Sequence, residues 1–115
     1  LNKFFIIRKN HKPYFMTTAC NTTAIGRRKI PAAIHPFDKT ARPQLVLKRY
    51  NHSYYDLINE FKKISGVGVI LNTSFNLHGE PIVFTPKDAI KTLKKSGLKY
   101  LYIGNYLVEK KILQK

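Results

Sequence analysis

Val67-Gly68-Val69-Ile70-Leu71-Asn72-Thr73-Ser74-Phe75-Asn76-Leu77-His78-Gly79-Glu80-Pro81 decides how this chain is read. Val67 to Leu71 has the length and branching of a buried strand, and it runs straight into small polar residues that are poor core material. In extended backbone Asn72, Ser74 and Asn76 would point the same way, beyond the strand end. Their uncharged donors and acceptors suit a phosphate oxygen or a small amide. The alternative is a turn whose Asn and Ser bond their own backbone.

Upstream, Tyr54, Leu57, Ile58, Phe61 and Ile64 recur at helical spacing, charged residues fill the opposite face, and Gly66 closes the helix. A helix leading into Val67–Leu71 makes parallel pairing with an earlier strand the expectation. Tyr14–Ala19 reads as a strand and Cys20–Lys29 as a polar loop broken by Gly26. Ile30–His35 reads as a short strand, and Ala41–Lys48 as extended, because Pro43 forbids a helix interior. Downstream, Thr85-Pro86-Lys87-Asp88 has the residues of a helix start: a hydroxyl cap, Pro at the first helical position and an acid in the first turn. Gly97 stops that helix. Lys99–Ile103 and Tyr106–Glu109 read as a hairpin joined at Gly104-Asn105. The expected fold class is α/β, more closely α+β: a twisted mixed sheet with two main helices.

At 115 residues the chain is at most one domain, and 43% apolar content with seven Tyr and seven Phe argues for a folded one. It divides into a poorly assigned segment 1–12 and a domain 13–115, expected to be incomplete. No apolar run approaches a membrane span, and a single Cys20 excludes an internal disulfide, so a cytoplasmic location is expected. The net charge of +15 is uneven. All five Arg lie in residues 1–50, where an anionic partner is expected, since Arg grips phosphate or carboxylate with a planar fork. Arg27-Arg28-Lys29 is the longest basic run, too short for a dedicated nucleic-acid arm. No His pair has metal-ligand spacing, so no metal site is expected in this chain. Ser74 lacks the Gly-x-Ser-x-Gly setting of a nucleophile, and Glu80 reads as a partner of loop amides. Arg42, stiffened by Pro43, is the candidate anion grip; no catalytic residue is assigned.

Ile30-Pro31-Ala32-Ala33 with His35, Thr40-Ala41-Arg42-Pro43-Gln44, Tyr55-Asp56-Leu57, Leu71-Asn72-Thr73-Ser74-Phe75-Asn76, Gly79-Glu80-Pro81-Ile82-Val83, Thr85-Pro86 with Asp88-Ala89, and Gly104 with Tyr106-Leu107-Val108 together resemble the C-terminal region of the O-carbamoyltransferases. The resemblance runs from about Tyr14 to Lys110. It implies a YrdC-like module that makes carbamoyl-adenylate from carbamoyl phosphate and ATP. It also implies an N-terminal actin-like ATPase-type partner, which transfers carbamoyl to a small-molecule hydroxyl and holds the metals: Mg with ATP and a His-bound, iron-type site. Arg42 matches a family arginine that contacts phosphate, and Asn72, Ser74 and Asn76 fall in the family's ligand loop. The chain by itself is then not catalytically complete.

Departures from the family pattern are specific. The Gly usual before Thr40 is Lys39 here, Arg or Lys is frequent where Leu77-His78 stands, and Leu1–Lys12 offers no equivalent of the family's further basic pocket residues. Two other classes stay open: a basic nucleic-acid-binding module, and a structural half that completes another chain's sheet.

Overall fold

In a computed structural model that describes residues 1–111, the chain forms two compact units, Leu1–Leu71 and Asn72–Lys115. The fold is α+β with two main helices, as expected, and the strands form two antiparallel sheets.

The first unit is built on a small sheet in the order β1 (Phe5–Ile6), β2 (Cys20–Thr22), β3 (Thr40–Ala41). Between β2 and β3 come a short helix α1 (Ala24–Lys29) and a 3-10 turn (Pro31–Ala33). The polar segment 20–29 is therefore strand and helix rather than loop. Gly26 is not a breaker: it lies in α1, where a Cβ would come within 2.4 Å of the Phe4 carbonyl oxygen. Only hydrogen at that position lets the helix press on β1. Thr23 locks the same contact, because its hydroxyl donates to Lys3 O (2.7 Å) and accepts from Gly26 N–H (3.0 Å), while its own N–H donates to Phe4 O.

Thr22 is buried at 1% exposure and joins three segments. Its hydroxyl donates to Lys39 O (2.6 Å) and accepts from Arg27 Nε (3.3 Å), and Arg27 also donates to Thr22 O. Arg27 thus serves the fold, not a ligand. Tyr14–Ala19 forms turns instead of the expected strand, with Phe15 and Met16 exposed. Ile30–His35 is not a strand either: Pro31 opens the 3-10 turn, and Ala33 and Ile34 N–H return to Ile30 and Pro31 carbonyls.

Helix α2 (His52–Ser65) follows its sequence closely. Asn51 Oδ1 accepts from Tyr54 N–H, Lys62 and Lys63 occupy the last turn, and Gly66 ends the helix at φ 73°. Despite its apolar stripe, α2 has no buried residue. Val67–Leu71 follows in extended form and enters neither sheet, so the expected parallel pairing is absent among the described residues.

The second unit has its own small core. Helix α3 (Pro86–Lys95) buries Ala89, Thr92 and Leu93 and packs on β4 (Tyr100–Ile103) of the hairpin β4–β5 (Tyr106–Glu109). Thr85 and Asp88 form a reciprocal capping box: Thr85 Oγ1 accepts from Asp88 N–H, and the Asp88 carboxylate accepts from Thr85 N–H. At the other end the Lys110 ammonium donates to Ser96 O (2.7 Å) and Leu93 O, satisfying carbonyls the helix leaves open. Gly104 takes φ 57° at the hairpin turn, where Ile103 pairs with Tyr106. Among the described residues no helix is long and apolar enough to cross a membrane.

Candidate functional site

Arg42 lies in the first unit, directly after β3, and its backbone is held on both sides. Before it, Ala41 and Thr40 pair with Cys20 and Asn21 of β2. After it, Pro43 is buried, Gln44 Nε2 donates to Tyr14 O (3.0 Å) and Leu45 N–H donates to Pro13 O (2.6 Å). The turn leading in is equally ordered. Asp38 Oδ1 accepts from Thr40 N–H (2.9 Å) and Thr40 Oγ1 (2.8 Å), and His35 N–H donates to Thr40 O. The Thr40 backbone bond, then its hydroxyl, with the nearby His35 adding to both, hold the Asp38 carboxyl below its ordinary value. Lys39 takes the left-handed region at φ 59°, a conformation that glycine adopts at less cost, while its ammonium donates to Pro36 O. Among the described residues the Arg42 side chain is exposed and makes no hydrogen bond or ion pair. A guanidinium on a fixed base, with its five donors unspent, is suited to an external anion.

Asn72, Ser74 and Asn76 lie in the second unit, and the structure does not give them one common direction. The backbone bends at Phe75–Asn76, which breaks the alternation. Asn72 and Ser74 are exposed, but Asn76 is half-buried, and its amide donates to Leu77 O (3.1 Å) and Glu80 O (2.9 Å). With Glu80 N–H on Leu77 O and Val83 N–H on Phe75 O, it closes the loop on itself. Asn76 shapes the loop, and Ser74 sits at its exposed approach. Glu80 points its carboxylate at Lys95 (3.6 Å) and Lys91 (3.9 Å) of α3 rather than at loop amides.

Sequence reasoning did not anticipate a groove of about 340 Å3 in the first unit, walled by the Pro31–Ala33 turn and by Phe61, Ser65, Val67, Val69 and Leu71, with Lys29 at its edge. The signal was present in Ile30-Pro31-Ala32-Ala33, but as a strand those residues would not have formed a wall. The lining is mostly apolar, so the groove suits a hydrophobic occupant better than a phosphate.

Comparison with known proteins bears on the family to which the chain belongs. A profile of the family described as "Carbamoyltransferase C-terminus" matches residues 1–110. The uncharacterized protein MJ1058 of Methanocaldococcus jannaschii is 42% identical over 107 residues, covering 93% of this chain and 17% of the relative. Nodulation protein NolNO of Sinorhizobium fredii is 34% identical over 96% of this chain and 16% of its own length. Nodulation protein NolO of Bradyrhizobium diazoefficiens is 46% identical over 75% of this chain, again 16% of the relative. The chain therefore spans less than a fifth of the length of these curated relatives. With a family match over nearly all its residues, this chain belongs to the carbamoyltransferase C-terminus family.

Proposed function

We propose that this chain is the C-terminal part of a cytoplasmic O-carbamoyltransferase, and that it binds carbamoyl phosphate and ATP in a YrdC-like module that forms carbamoyl-adenylate. Transfer to a substrate hydroxyl then falls to an N-terminal actin-like ATPase-type domain, as do Mg and any iron-type metal. The observation that carries this reading is Arg42, an exposed guanidinium without an in-chain partner among the described residues, on backbone tied before and after it. With its backbone already ordered, such a group loses only side-chain freedom when it grips a phosphate, and it meets the charge that develops on phosphoryl oxygens during adenylation. In the second unit the loop of Asn72, Ser74 and Asn76 carries neutral polar side chains of the kind that orient a carbamoyl group, and Asn76 keeps that loop in shape.

The test is calorimetry with carbamoyl phosphate and ATP on the full-length polypeptide that carries this sequence. Arg42→Ala removes a charged hydrogen-bond donor worth roughly 1.5–3 kcal/mol, so Kd for carbamoyl phosphate rises at least about tenfold. Arg42→Lys restores part of the affinity, as a point charge without the fork. Unchanged affinity in Arg42→Ala, or no binding by the unaltered polypeptide, rejects the reading.

A further inference from the structure

Val67-Gly68-Val69-Ile70-Leu71 has the composition of a central strand, apolar on both faces, which occurs where neighbours flank a strand and layers cover it. Here it has no paired neighbour among the described residues and only partial cover, with Val67, Val69 and Ile70 half-buried. Gly68, Val69, Ile70 and Leu71 make no backbone hydrogen bond among the described residues, and Leu71 is 61% exposed. The adjoining helix repeats the mismatch. Leu57, Phe61 and Ile64 share one face of α2 at helical spacing, and all three are exposed, Ile64 to 88%. Phe61 lines the same groove as Val67, Val69 and Leu71, so within the first unit the helix stripe meets the strand at Phe61. Unpaired backbone beside such a surface is a template for strand addition.

We propose that the face formed by Leu57, Phe61, Ile64 and the Val67–Leu71 run receives one further apolar β-strand, supplied by the rest of a longer polypeptide that carries this sequence. The source follows from the relatives: in MJ1058 and both nodulation proteins the matched stretch is 16–17% of the chain, so more than four fifths of each polypeptide is tethered to it. A tethered strand reaches the face at an effective concentration that a separate protein rarely matches. The strand fills the groove with alternate apolar side chains, and its backbone pairs with Gly68–Leu71. This proposal is independent of what Arg42 binds and survives if carbamoyl phosphate is not the ligand.

Amide hydrogen exchange on the full-length polypeptide tests it, with the 115-residue chain as reference. Gly68–Leu71 amides should exchange roughly 100-fold or more slowly in the full-length protein than in the reference, at a rate independent of protein concentration. Equal exchange in the two samples, fast or slow, overturns the proposal: fast exchange leaves the face bare, and slow exchange places its cover within this chain. Protection that grows with concentration also overturns it, because a second copy would then be the occupant. Ile64→Lys gives a readout that does not depend on exchange. Lys is a good helix former and favourable near a helix C-terminus, so on a bare face it is neutral or slightly stabilising. Under a docked strand it lowers the Tm of the full-length protein by several degrees, and an unchanged Tm overturns the proposal.

Discussion

The two units close by different means. Leu1–Leu71 is tied by bonds between residues far apart in sequence: Thr23 to Lys3, Thr22 to Lys39, Gln44 to Tyr14, Leu45 to Pro13. Asn72–Lys111 has a few ties of similar span, Lys110 to Leu93 and Ser96 and Glu80 to Lys95, but adds closure by near neighbours that the first unit uses less: a capping box three residues wide, a hairpin joined by Gly104-Asn105, and a loop that Asn76 closes over four residues. Long-range closure depends on shape, since each partner must arrive at the right place. Local closure depends on residue type at fixed spacing. The first unit should therefore be intolerant of small steric changes, and the second should respond to loss of single hydrogen bonds by modest, separable amounts.

The sharpest way to break that contrast is at Gly26. A methyl group there meets the Phe4 carbonyl at 2.4 Å, and the obstacle is backbone, which cannot swing aside. Gly26→Ala should cost the upper end of the roughly 1–3 kcal/mol seen for overpacking, read as a lowered urea midpoint. Hydrogen exchange should show the loss at β1 and α1 while β4–β5 amides keep their rates. Uniform loss in both units would show that the two do not close independently.

Thr85→Ala is the counterpart in the second unit. It removes the hydroxyl that caps α3 and should cost about 1 kcal/mol, with Thr85→Ser retaining most of the stability. A loss as large as that of Gly26→Ala would erase the distinction between the units.

The same contrast explains what could be read from the sequence. α2, α3 and the hairpin were legible because caps, helical spacing and a Gly-Asn turn act within a few residues. α1 was not, because the reason for Gly26 is the carbonyl of Phe4, and nothing in Ala24–Lys29 reveals that neighbour. Ile30–His35 has the apolar content of a strand, but Pro31 at the start of a turn decides otherwise. Val67–Leu71 has strand composition, but pairing needs a partner, and periodicity cannot say whether one is present. At the candidate site, the stiffening of Arg42 by Pro43 was legible; the ties of Gln44 and Leu45 to residues thirty or so positions earlier were not. Asn76 followed the self-bonding alternative, since its amide finds carbonyls of its own loop.

A smaller effect of opposite sign is expected at Lys39. A non-glycine residue in the left-handed region costs about 1–2 kcal/mol, and glycine's extra freedom in the unfolded chain offsets roughly half of that gain. Lys39→Gly should therefore stabilise the first unit by about 0.5 kcal/mol, seen as a Tm raised by a few degrees. A lowered Tm would mean that the ammonium bond to Pro36 O outweighs the strain.

The smallest effect is common to both units, each of which holds an aspartate below its ordinary value of 3.8 through a threonine: Asp38 by Thr40, and Asp88 by the Thr85 hydroxyl and then its N–H. Both are acceptors in the folded state, so the ionised form is the one the fold favours. A carboxyl whose folded pKa lies below its unfolded pKa adds stability that is complete above the unfolded value and is lost as pH falls through the folded one. Asp38→Asn and Asp88→Asn should thus each be less stable than the parent at pH 6, and the gap should narrow as pH drops below about 3.8. Denaturant midpoints measured from pH 6 to pH 2.5 give that gap directly. In the second unit it should close locally, with fraying of the first turn of α3 read by exchange at Ala89 and Ile90. In the first it should spread, because Thr40 also pairs with Asn21 of β2 and so carries the change into the sheet that positions Arg42. Equal spread from both aspartates would show that local closure in the second unit is no more separable than the long-range closure of the first.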